Sequence, residues 1–162
     1  MLPLTTATVA RPAANPWIAS LYAGVFTAIA AVIVSLLFQA ATGWLWVALM
    51  VLVGIGPVLG YQMATGRLGD WKSIVGGLIG ALPLIGIILW PFVTGAMTRG
   101  QSVGKLLLWH VVGIVLGVAV FFLLATVMGQ NPTWVGFGYV MAIAVWGGTV
   151  GAAMAASAPA NV

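Results

Sequence analysis

Cysteine is absent from the chain, which removes disulfides, thiolate nucleophiles and thiolate metal sites. Acid is nearly absent too, since Asp70 is the single carboxylate side chain in 162 residues. No pair of carboxylates exists for general acid and base catalysis, for a metal site or for an intramembrane proton relay. Histidine occurs once, at His110, so ligation of one haem by two histidines of the same chain is excluded. Charged residues make up 4% of the chain, against about a quarter in an ordinary soluble domain. With 63% apolar residues, a water-soluble surface cannot be assembled. An enzyme of acid, base or metal chemistry is therefore not expected.

What the chain has instead is uninterrupted apolar sequence. No charged residue falls between Arg11 and Arg67, between Lys72 and Arg99, or after Lys105. A helix needs about 20 apolar residues to cross a bilayer, and helices and closed barrels alone satisfy every backbone amide in hydrocarbon. Continuous rather than alternating apolar runs select helices. Cut at their polar and turn-forming joints, the runs predict five spans near 17–40, 44–64, 72–91, 106–128 and 134–156. The expected fold is all-α, a polytopic transmembrane helical bundle with short loops. Residues 1–16 read as a short peripheral arm, 17–156 as one transmembrane domain and 157–162 as a tail. The opening stretch lacks the basic start and apolar core of a cleavable signal, and a prokaryotic cytoplasmic membrane is the expected location.

Tryptophan and tyrosine gather at membrane surfaces, and Trp17, Trp44, Trp46, Trp71, Trp90, Trp109 and Trp134 each fall near a proposed helix end. Trp71 and Trp90 bracket the third span at about 28 Å along a helix, close to the hydrocarbon thickness. A full crossing is the reading adopted for that span, with Pro83 bending it and Pro91 ending it. Arg99 and Lys105 would then lie across the membrane from Arg67 and Lys72. The alternative folds residues 73–98 back at Pro83 as a re-entrant hairpin, which places all five basic residues on one face.

Small residues four apart recur on every span: Gly24 and Ala28, Gly56 and Gly60, Gly76 and Gly80, Gly113 and Gly117, Gly147 and Gly151. Such pairs permit close backbone approach, within a tight bundle or against partner subunits. Pro57 and Pro83 fall near the middle of two spans and are candidates for the interrupted helices that expose backbone to a solute in transporters.

Individual polar residues point to chemistry more weakly. Asp70 precedes the third span where a carboxylate caps a helix, with Arg67 and Lys72 nearby for pairing. His110 shares a helix face with Gly113 and Gly117, an arrangement with room for a flat ring and hence for a haem or chlorophyll-type pigment. Arg99-Gly100-Gln101-Ser102-Val103-Gly104-Lys105 is superficially similar to a phosphate-binding loop, but it ends in Leu106 and follows no strand, so neither nucleotide nor nucleic acid is expected. The same loop resembles the Gly-x-Ser/Thr-x-Gly-Lys loop of RDD-family membrane proteins; the arginine and paired aspartates of that family have no counterparts here. Length, span count and tryptophan content are similar to those of tryptophan-rich sensory, or translocator, proteins, whose Trp- and Pro-dense first loop is replaced here by Ala41-Thr42-Gly43-Trp44. No function transfers from either resemblance.

The leading functional expectation is a non-catalytic membrane subunit that packs among lipids and other membrane subunits in a larger assembly of respiratory or photosynthetic energy conversion. A small carrier or channel for an uncharged solute, built on Pro57 and Pro83, is the alternative. A pigment, haem or quinone holder using His110 is the third.

Overall fold

The computed structural model describes residues 14–38, 51–82, 85–129 and 131–158, and no strand occurs among them. Six α-helices are present among the described residues: α1 (Pro16–Phe38), α2 (Ile55–Thr65), α3 (Trp71–Gly80), α4 (Gly86–Met97), α5 (Val103–Met128) and α6 (Pro132–Ala156). A 3-10 turn, Leu52–Gly54, leads into α2. Three of the helices, α1, α5 and α6, are long and apolar enough to cross a membrane. Their limits match the first, fourth and fifth expected spans to within a turn. The five-span count itself is not reproduced.

Local sequence explains where the long helices start. Asn15-Pro16 and Asn131-Pro132 use one device: the asparagine Oδ1 accepts from the amide two residues on, at 2.9 Å from Trp17 and from Thr133. Proline follows where its missing amide costs nothing and its fixed φ suits the first turn.

The helices alternate in direction, and close contacts at glycine give the register. A Cβ on Gly60 would strike the Ala23 backbone and one on Gly56 would strike Thr27, so α1 and α2 run antiparallel. Gly147 meets Thr27 and Gly151 meets Ala23, so α6 is antiparallel to α1 as well. A Cβ on Gly113 would stand 3.1 Å from Trp146 Cδ1, and one on Gly117 would stand 2.7 Å from the Ala142 carbonyl, so α5 is antiparallel to α6. Among these glycines none can take even a methyl without displacing backbone or a packed side chain, which is how membrane helices hold together without hydrophobic exclusion.

The third expected span requires correction. Instead of one crossing helix over 72–91 there are two, α3 and α4, with 10 and 12 residues. Each reaches only about 15–18 Å, roughly half the hydrocarbon thickness. They form an antiparallel hairpin: a Cβ on Gly76 would lie 3.1 Å from Met97 Cβ and 3.2 Å from Thr94 Cα, and one on Gly80 would lie 2.7 Å from Trp90 Cα. Pro83 lies outside the described residues. Pro91 does not end the helix but sits inside α4. With α4 starting at Gly86, the ring falls in the second turn, where only the Ile87 carbonyl loses its helical donor.

The hairpin reassigns several residues. Trp90, expected at a membrane surface, is 1% exposed, whereas Trp17, Trp71, Trp109 and Trp134 are exposed. Trp44 and Trp46 lie outside the described residues. Because the start of α3 and the end of α4 share one side, Arg67, Lys72, Arg99 and Lys105 lie on one side of the bundle rather than on two. Asp70 precedes α3 as expected, but its side chain makes no cap bond.

Candidate functional site

The inner face of the hairpin is where polar and aromatic side chains converge. Trp90 and Thr94 follow one another at four-residue spacing on α4, Thr98 comes next as its C-cap, where a ψ of 117° turns the chain out of the helix, and all three are buried. Helical periodicity puts Trp90 and Thr94 on one face, and Gly80 and Gly76 provide the surface on which that face rests. Trp90 Nε1 donates to the Gly54 carbonyl at 3.1 Å, fastening the hairpin near its tip to the 3-10 turn before α2. Pro57 stands at the third position of α2, directly after that turn. A proline there leaves the preceding turn short of a donor, and the tighter 3-10 winding of Leu52–Gly54 is the local response.

His110 reaches the same region from α5 and is 3% exposed. Its ring stacks on Trp90 at 5.7 Å between centroids and 12° between planes, and meets Trp146 edge-on at 5.5 Å and 85°. Trp90 and Trp146 themselves meet at 5.4 Å and 73°. Trp146 Nε1 donates to His110 Nδ1 at 3.2 Å, so the neutral ring carries its proton on Nε2. The space that Gly113 and Gly117 were expected to leave for a flat ring is filled by Trp146, Thr149 and Ala142. Those two glycines serve the α5–α6 contact.

Toward the basic side the wall becomes polar. Gln62, 1% exposed, donates from Nε2 to the Asp70 carbonyl and to Ser73 Oγ, both at 2.8 Å, and accepts from the Gly69 amide at 3.3 Å. One amide side chain thereby closes the α2–α3 turn. Arg67 donates to the Tyr61 hydroxyl at 2.7 Å. Gln101 Nε2 donates to the Met154 carbonyl at 2.9 Å, tying the loop after α4 to the end of α6. No family model, no curated protein and no solved structure matches this chain. Its functional reading rests on this geometry alone.

Sequence reasoning named His110 but neither of its ring partners, because Trp90 was assigned to a membrane surface. Thr94 and Thr98 fall between the third and fourth expected spans, because the sequence reading ends the third span at Pro91. The available signal was the match between Gly76 and Gly80 on one arm and Trp90 and Thr94 on the other, each pair four apart.

Proposed function

We propose that this chain is a non-catalytic integral membrane protein that binds or passes a small uncharged solute at its re-entrant hairpin. The observation that carries the reading is the break between α3 and α4, with the buried Thr94 and Thr98 hydroxyls along the second arm of the hairpin. Irregular backbone at membrane depth is tolerated where protein buries it or where it lines a polar cavity, and interrupted helices form the solute sites of many transporters. The four basic residues on one side disfavour cations at that entrance and, by the positive-inside rule, turn it toward the cytoplasm of a prokaryotic cell. In this arrangement α1, α5 and α6 are the helices long enough to cross, with α2 packed antiparallel against α1.

The scaffolding role within a larger assembly drew on small-residue faces left over for partner subunits. Gly24, Gly56, Gly60, Gly76, Gly80, Gly113, Gly117, Gly147 and Gly151 all meet neighbours within the chain, so the solute reading has the better geometric support. The test is reconstitution into proteoliposomes followed by stopped-flow light scattering under a gradient of water, glycerol or urea. Shrinkage or reswelling faster than in empty liposomes is expected. Rates indistinguishable from empty liposomes for all three would reject the reading, and a purified protein that always carries stoichiometric partner subunits would favour the scaffold.

A further inference from the structure

The chain has a consistent way of satisfying hydroxyls in apolar helices. Thr27, Ser35, Thr65, Thr126 and Thr149 each donate to the carbonyl four residues earlier, at 2.6 to 2.8 Å. Thr94 and Thr98 depart from it: both hydroxyls are buried, and neither has a hydrogen-bond partner among the described residues. Their residues are 0% and 2% exposed. An unpartnered hydroxyl in an apolar interior is costly, and an isosteric valine would avoid that cost. Two such groups one turn apart on the inner face of the hairpin are therefore a paired polar feature in need of a guest.

We propose that the Thr94 and Thr98 hydroxyls form a buried binding site for one small neutral hydroxylic molecule, of water size, that bridges them. Spacing sets the size. The Thr98 amide still bonds to the Thr94 carbonyl at 2.9 Å, which keeps the two residues one turn apart. Cβ atoms at that spacing stand about 5–6 Å from each other, near enough for the two hydroxyls to share one bridging oxygen. Charge sets the class. Asp70, the only acid of the chain, lies beyond Ser73 at the start of α3, so nothing at the site compensates a cation. Two hydroxyls do not replace the hydration of an anion. A neutral molecule that both donates and accepts suits hydroxyls that do the same. Position sets the access. Thr98 directly precedes Arg99 and Gly100, which are exposed on the basic side, whereas Trp90 and His110 close the column toward the tip. By the register that sets Gly76 against Thr94 and Met97, Ser73 stands level with the 97–100 stretch, so the approach from that side is polar.

The site deepens the solute reading given above and rests on it for the direction of entry; its existence is tested separately. Thr94→Val, Thr98→Val and the double variant are purified in mild detergent, and their thermal midpoints are compared with the parent chain. A single guest bonded to both hydroxyls is lost when either is removed. Each single substitution is then expected to lower Tm by about 3 °C, and the pair no further than one single substitution does. An unchanged or raised Tm in either single variant overturns the site, because a methyl then relieves an orphaned hydroxyl. Losses that add, or a pair too unstable to fold when both singles fold, overturn it as well, because each hydroxyl then acts alone. Flux in proteoliposomes is read on the same proteins. Coupled Tm losses without any flux in the parent chain remove the solute path and leave the site standing, and flux without coupling does the reverse.

Discussion

Glycine does different work at different positions of this chain, and the difference is measurable. A methyl on Gly60 would collide with the Ala23 backbone, while a methyl on Gly104, in the first turn of α5, would meet nothing within 4 Å. Gly60→Ala is expected to destabilise by about 2 kcal/mol or more, since the α1–α2 contact must open. Gly104→Ala is expected to be neutral or stabilising by up to about 1 kcal/mol, the ordinary helix gain over glycine. Thermal unfolding of both variants in one detergent checks the contrast, and equal midpoints would contradict it. Gln62 offers a second residue-scale prediction. Replacing it with Leu removes its bonds to the buried Ser73 hydroxyl, the Asp70 carbonyl and the Gly69 amide, so a loss of about 1–3 kcal/mol is expected, measured the same way. Neither role is legible in one dimension: spacing finds glycine pairs but not which of them touch backbone, and nothing along the chain sets Gln62 against Ser73 and the Gly69 amide.

At the scale of elements, the hairpin is the feature that separates this fold from a plain bundle of crossing helices. Cysteines introduced at Lys72 and Ser102, both exposed, are expected to react with an impermeant thiol reagent from the same side of a sealed vesicle. Labelling from opposite sides would restore a crossing third span. The helix starts were more accessible to sequence reasoning than the hairpin. Asparagine before proline is a local device, and Asn131→Ala is expected to cost about 1 kcal/mol through loss of the bond to the Thr133 amide, seen as a lower Tm. Pro91 shows the limit of such local rules. The local rule has Pro91 end a helix, yet α4 runs through it to Met97. Packing of Trp90 and Thr94 onto Gly80 and Gly76, together with the Trp90 bond to Gly54, holds the helix on both sides of the ring.

For the whole molecule, antiparallel α1 and α6 place the start of the first helix level with the end of the last, on the side that carries Arg67, Lys72, Arg99 and Lys105. A fluorescent protein fused at the C-terminus is therefore expected to fluoresce in a bacterial cytoplasm, and an alkaline phosphatase fused there is expected to be inactive. An active phosphatase fusion would contradict this orientation. Composition alone determined that the chain is helical and apolar enough for a membrane, because hydropathy is a sum over neighbours in sequence and needs no knowledge of the partner surface. The same local property placed the long helices α1, α5 and α6 to within a turn. The path of residues 72–98 was decided only by tertiary structure. A crossing helix and a re-entrant hairpin of one sequence have the same hydropathy along the chain. What distinguishes them is contact between distant positions: Gly80 against Trp90, Gly76 against Thr94, Trp90 against Gly54 and His110. Such contacts exist only once the helices have met, and they turned a tryptophan read as a surface anchor into the centre of the core.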